Sequence, residues 1–241
     1  MTTGTRTSSM SVVRSWFQRA LWEVVPRNHR ETPQALRRRQ LVTAGFVLIG
    51  GIVLGVSLRI EPGSAWFYLG TFGLAAVWTL GALLSGPLHL GRIAHHEGPR
   101  RPVLAPILLG LGLAGVFVLG ALAVRQVPFL DEQVRSVLDH ASEGSLPLLA
   151  LITAVNGIAE ELFFRGAAYA AVTRYPVPVT TVAYAIATLA TGNVMLSFAA
   201  VLLGLVVGLQ RRASGGILGP ILTHVTWSQA MLFVLPAVFG G

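Results

Sequence analysis

The chain has 241 residues, of which 53% are apolar and only 12% charged, with a mean hydropathy of +0.67. A soluble globular domain carries about 25% charged residues, so this chain cannot cover its surface with charge, and a wholly soluble fold is excluded. The net charge of +8 sits on Arg residues that flank apolar runs, which favours membrane anchoring over nucleic acid; the absence of Cys excludes disulfides, a thiol nucleophile and Cys-ligated zinc.

Residues 1–10 are polar and read as disordered. From Ser11 to Val25, Val13, Trp16, Phe17, Ala20, Leu21 and Val24 recur at helical spacing, with Arg14, Gln18 and Arg19 mainly on the other side. That pattern predicts an amphipathic helix lying on a membrane surface. The competing reading is a solvated basic arm. With no apolar h-region and no small-residue cleavage site, the segment is not a signal peptide.

Long uncharged runs follow. There are 19 residues between Arg39 and Arg59, 30 between Glu61 and Arg92, and 23 between Arg101 and Arg125. Another 36 separate Arg174 from Arg211, and 29 follow Arg212. A helix needs about 20 mostly apolar residues to cross the hydrocarbon core. The runs are continuous rather than alternating, so helices are expected and not a barrel. The expected fold is an all-α polytopic transmembrane helix bundle with about seven spans, at 41–58, 65–90, 103–124, 146–173, 177–191, 194–210 and 216–238. Gly51/Gly55 and Gly204/Gly208 sit four apart, a spacing that permits close helix contact.

The organisation divides at 1–40, a basic arm; 41–124, three spans; 125–145, a loop; and 146–241, a four-span core. The loop carries Asp131, Glu132, Asp139 and Glu143 among apolar residues, which suggests a short helix at the outer surface. Fifteen of the 18 Arg fall on one side: eight before residue 40, three in 91–102, then Arg165, Arg174, Arg211 and Arg212. Only Arg59, Arg125 and Arg135 fall on the other. The asymmetry predicts a cytoplasmic N-terminus and, after seven spans, an extracytoplasmic C-terminus in a plasma (inner) membrane.

Ionisable groups inside spans are costly and tend to mark function. The fourth span contains Glu160-Glu161-Leu162-Phe163-Phe164-Arg165. Glu161 and Arg165 are four apart and can pair on one face. Glu160 points about 100° away, with Asn156 one turn before it, and is left for chemistry. An inert salt bridge at a helix end is the alternative. The last span holds His224, with Ser228 one turn later on the same face. His29, His89, His95, His96 and His140 fall in the arm, the loops or near a surface.

Glu160-Glu161-x-x-x-Arg165 resembles the Glu-Glu-x-x-x-Arg motif of the CPBP family, the CAAX-protease and bacteriocin-processing intramembrane peptidases. The order of the family's later motifs is kept over about residues 146–230. Tyr184-Ala185-Ile186-Ala187-Thr188 falls where Phe-x-x-x-His belongs, Gly204 and Gly208 lie in the next span, and His224-x-x-x-Ser228 stands where His-x-x-x-Asn ends the family pattern. The resemblance implies an intramembrane endopeptidase acting on peptides or membrane-protein segments. It implies that Glu160 and the second-motif residue activate a water and that the last motif stabilises the oxyanion.

Two departures bear on that chemistry. Thr188 replaces the second-motif His, and no His lies between Arg165 and His224. Ser228 replaces the Asn and can still donate one hydrogen bond. Thr188 can orient a water but cannot take its proton, so turnover at least about 100-fold below that of His-bearing members is expected, or none. The family label also raises zinc. Catalytic zinc usually takes three protein ligands, and with Glu161 claimed by Arg165 the set Glu160, Glu161 and His224 looks insufficient. Two other readings stay open: a non-catalytic member that binds a membrane or peptide partner, and a proton-coupled transporter using Glu160 and Glu161. The all-Arg basic complement suggests a GC-rich, bacterial coding sequence; on that source a prenylated substrate is not expected.

Overall fold

A computed structural model gives the fold, described for residues 9–57, 60, 64–95, 97–142 and 145–240. The expectations placed on residues 1–8, Arg59, His96 and Glu143 lie outside the described residues. The first helix, α1 (Ser9–Phe17), runs on as a π-helical stretch, Gln18–Trp22, and an extended segment leads to α2 (Pro33–Ser57). Then come α3 (Ala65–Ser85), α4 (Leu104–Val124) and α5 (Pro128–Ser142). After them α6 (Leu146–Glu160) continues through a π-helix, Glu161–Ala168, into the short α7 (Tyr169–Ala171). Finally α8 (Pro176–Leu189), α9 (Val194–Ser214) and α10 (Leu218–Phe239) complete the chain.

The architecture is the expected polytopic helical bundle. Among the described residues, six helical segments are long and apolar enough to cross a membrane. The seventh, α8, has 14 residues, about 21 Å at 1.5 Å per residue, against a hydrocarbon core of about 30 Å. It still runs from one end of the bundle to the other, packed on α9 and α2. The 125–145 loop, expected to carry a short helix, contains α5, where Arg135 pairs with Asp131 at 2.7 Å.

Contacts at the two ends fix the alternation. At one end Arg39 meets Ser85 and the Pro87 carbonyl, Gln40 bonds the Ala171 carbonyl at 3.0 Å, and Ile217 N bonds His89 O at 2.9 Å. At the other, Asn193 Nδ2 bonds Gln133 O at 2.7 Å and Arg125 bonds Val238 O at 3.1 Å. Among the described residues, Arg27, Arg37–Arg39, Arg92, Arg100, Arg101, Arg174, Arg211 and Arg212 belong to the first end, and Arg125 and Arg135 to the second.

The core that positions the site is aromatic. Trp78 on α3 lies 4.7 Å and 5.1 Å, ring to ring, from Phe163 and Phe164, and Tyr184 on α8 lies 4.8 Å from Phe164. Gly50 on α2 makes room for that core: a Cβ there would stand 2.1 Å from the Trp78 ring. Of the spaced glycines, Gly55 approaches the Ala190 carbonyl and Gly204 and Gly208 approach Thr181 and Val177 on α8, whereas a Cβ on Gly51 would meet nothing within 4 Å. Close packing along α2 thus runs through Gly50 and Gly55, one residue out of phase with the expected pair at its first member.

Candidate active site

Glu160 is the last residue of α6, and the helix changes its winding at the next one. From Glu161 to Ala168 it is π-helical, and such widened turns occur frequently at functional sites. All of this stretch except Leu162 is buried. The aromatic pair Phe163–Phe164 anchors it against α3, which holds the acidic residues at fixed depth inside the bundle.

Glu161 and Arg165 are both fully buried, and Arg165 Nη1 donates to Glu161 Oε1 at 3.0 Å. The guanidinium also lies over the Tyr184 ring, 4.9 Å from its centroid, an attraction that counts for more where water is excluded. Thr181 and Gly204 flank it; a Cβ on Gly204 would come within 3.2 Å of Nη2. The Arg165 carbonyl accepts from Arg211 Nε at 2.6 Å.

His224 on α10 completes the cluster. Its Nδ1 lies 2.8 Å from Glu161 Oε1. An ionised carboxylate only accepts, so Nδ1 carries the proton and Nε2 is left on the other side of the ring. Nε2 stands 4.0 Å from Glu160 Oε2. The ring rests against Gly157, at van der Waals distance from where a Cβ would be. Glu160 Oε2 in turn accepts from the Tyr184 hydroxyl at 2.5 Å. The four groups Glu160, Glu161, Arg165 and His224 therefore converge between α6 and α10, with Tyr184 added from α8.

The remaining residues singled out in the sequence stand differently. The Thr188 hydroxyl donates to the Tyr184 carbonyl one turn back at 2.9 Å, and the Ser228 hydroxyl to the Val225 carbonyl at 3.2 Å. Asn156 donates to the Ile152 carbonyl at 3.0 Å. These are bonds to their own helices. Tyr184 is a site residue that the sequence alone does not single out. The signal available for it was a phenol in an otherwise apolar span, four residues before the expected His.

A zinc ion fits this donor set poorly. Glu161 Oε1 is already shared by Arg165 and His224 Nδ1 and its charge is balanced by Arg165, so beside Glu160 and one imidazole nitrogen only the buried, unbonded Glu161 Oε2 remains as a third donor. Among the described residues no three His, Cys, Asp or Glu form a metal-holding group.

Comparison with known proteins bears on the segment that holds this cluster. Residues 142–230 match the family model described as Rce1-like, type II CAAX prenyl endopeptidase Rce1-like. The match includes Glu160, Glu161, Arg165, Thr188, His224 and Ser228, and it bears out the CPBP/CAAX-protease resemblance of the sequence. The segment is placed with the CAAX-protease-type intramembrane peptidases in general. No curated protein and no solved structure matches the chain.

Proposed function

We propose that the protein hydrolyses peptide bonds within the membrane, with Glu160 as the base for an attacking water. The observation that carries this reading is the 4.0 Å gap between Glu160 Oε2 and His224 Nε2. One water bonded to both groups fits that gap, and a water in hydrogen-bond reach of a carboxylate base is the arrangement peptide hydrolysis needs.

The surrounding residues then take distinct roles. Glu160 accepts the water proton. His224, steadied through Nδ1 by Glu161, receives at Nε2 the proton that Glu160 took from the water and delivers it to the departing amine. Arg165 balances the Glu161 charge that would otherwise sit unpaired in the bundle. Tyr184 fixes the Glu160 carboxylate and supplies, from the same helix, part of the orienting role that the family's second-motif His would have. Zinc enters none of these steps.

The substrate class is a peptide or membrane-protein segment with an apolar portion. Between α4, α5, α9 and α10 lies a cavity of about 480 Å³ whose walls include Phe117, Met195, Trp227, Ser228 and Met231. Trp227 and Ser228 follow His224 by less than two turns on α10, so an apolar group held there would bring an attached peptide toward the carboxylates. A prenylated peptide, named in the description of the matched family, is one member of that class.

The N-terminus and the Arg-rich end face the cytoplasm, and the C-terminus lies outside, by the Arg asymmetry between the two ends. The second reading is a non-catalytic member that binds a peptide without cutting it. It is favoured by the self-bonded hydroxyl at Thr188 where the family carries His. Incubation of the purified protein in detergent with membrane-protein and peptide substrates separates the two. Discrete fragments are expected; saturable peptide binding without fragments would favour the second reading.

A further inference from the structure

A second polar cavity lies at the Arg-rich end of the bundle, beyond Arg165. Its volume is about 270 Å³. The extended segment after the first helix, the start of α2, the loop after α3, α7 and the end of α9 meet there. Three Arg residues line it, Arg27, Arg39 and Arg211, with a single carboxylate, Glu31.

The charges in this cavity do not balance. Arg39 is buried and committed: it pairs with Glu31 and bonds Ser85 and the Pro87 carbonyl. Arg211 is 5% exposed. Its Nε bonds the Arg165 carbonyl at 2.6 Å and its guanidinium lies 4.8 Å from the Tyr169 ring centroid. Arg27 is exposed and bonds the Ala213 carbonyl at 3.4 Å. Among the described residues no carboxylate pairs with Arg211 or Arg27. Against one Glu, three guanidinium groups leave two positive charges over, one of them on a buried side chain.

The histidines add no further positive charge. His29 and His89 stack at the cavity with ring centroids 3.7 Å apart and planes 8° from parallel. Burial chiefly lowers both: for His29 the neighbouring His89, Arg211 and Arg27 add to it and bring it to about 4, and for His89 Arg211 and Arg39 add to it. A buried cation without a partner is costly, and an Arg cluster of this kind is complementary to an anion.

We propose that this cavity binds a phosphate monoester dianion, held by Arg211 and Arg27 with Arg39 behind them. Two negative charges match the two unpaired positive ones. The planar guanidinium fork matches phosphate oxygens better than a point charge would. At about 30 Å³ for each water, the volume equals roughly nine waters, enough for a phosphate and the first atoms attached to it. The cavity sits at the helix ends, where both a soluble phosphate and the headgroup of a phosphatidic acid can reach it. Arg211 also holds the Arg165 carbonyl, so ligand and carboxylate cluster share one side chain.

Calorimetric titration of sodium phosphate into the full-length protein in detergent tests the site, with acetate at matched ionic strength as control. Saturable binding of phosphate and none of acetate is expected. Arg27→Gln, at an exposed position that leaves the core untouched, should weaken it by about tenfold or more, as should Arg211→Gln if that variant folds. A second arm places the protein in nanodiscs with or without phosphatidic acid. If the acid stabilises wild type and removes phosphate binding, the lipid headgroup is the natural source; if phosphate binding persists unchanged, the source is soluble. No saturable response to either probe, an equal response to acetate, or undiminished binding by Arg27→Gln would overturn the proposal.

Discussion

The Tyr184 hydroxyl donates to Glu160 Oε2 at 2.5 Å, from the helix on which Thr188 stands in place of the family's second-motif His. Tyr184→Phe removes this bond and keeps the ring beneath Arg165. A hydrogen bond to a charged group contributes about 1.5–3 kcal/mol, so a fall in kcat of about 10- to 100-fold is expected. KM should change little, and the pH–rate profile should move, since the phenol acts through the titrating carboxylate. A purely structural tyrosine would leave that profile where it is.

Arg165 and Glu161 form the one ion pair among the described residues with both side chains fully buried. Arg165→Ala strands Glu161 beside His224 and should cost about 3–5 kcal/mol. Arg165→Lys keeps the charge and should cost less. Thermal unfolding in detergent reads both; equal stability of wild type and Arg165→Ala would mean that water reaches the pair.

Much of this arrangement was legible in the sequence. Uncharged runs located the spans because lipid admits only helices and closed barrels, and continuous rather than alternating apolar runs are helical. The spacing of Glu161 and Arg165 implied their pairing because residues four apart share a helix face. Two features were not legible. Tyr184 looks like any aromatic residue of an apolar helix until α8 is laid against α6, and only the tertiary fold sets its hydroxyl on Glu160. The change of winding at Glu161 has no local signature either: it accompanies the seating of Phe163 and Phe164 against Trp78, a long-range contact for which Gly50 and Gly81 leave room. Similarly, the sequence placed His29 in the arm and His89 near a surface, but nothing in their spacing announces that they stack.

That stacked pair carries a pH dependence. His29 titrates at about 4 in the folded protein against an ordinary 6.5, and His89 is lowered too. A histidine held neutral by the fold contributes its full stability above the unfolded value. As pH falls from about 6.5 toward 4, the unfolded chain takes up a proton that the native one refuses, and stability is lost. The midpoint of thermal unfolding should therefore drop across this window in phosphate-free buffer. His29→Gln should flatten the drop; an unchanged slope would assign it to other groups.

The proposed orientation rests on the distribution of Arg between the two ends. Reporter fusions at Glu97 should read cytoplasmic, and those near Arg135 and after Phe239 extracytoplasmic. Because α8 is short, its crossing is the point most exposed to this test. A cytoplasmic C-terminus would mean that α8 enters the membrane without crossing it.

Glu160-driven hydrolysis is tested most directly by one comparison. Wild type and Glu160→Gln, purified in the same detergent, are given the same peptide substrate and their fragments are quantified. The amide keeps the shape and can still accept from Tyr184, but it cannot take a proton from water. General-base assistance contributes about 10²–10⁴-fold, so the expected result is measurable cleavage by wild type and a loss of that order in Glu160→Gln. Turnover that survives the substitution undiminished would contradict the assignment of Glu160 as the base.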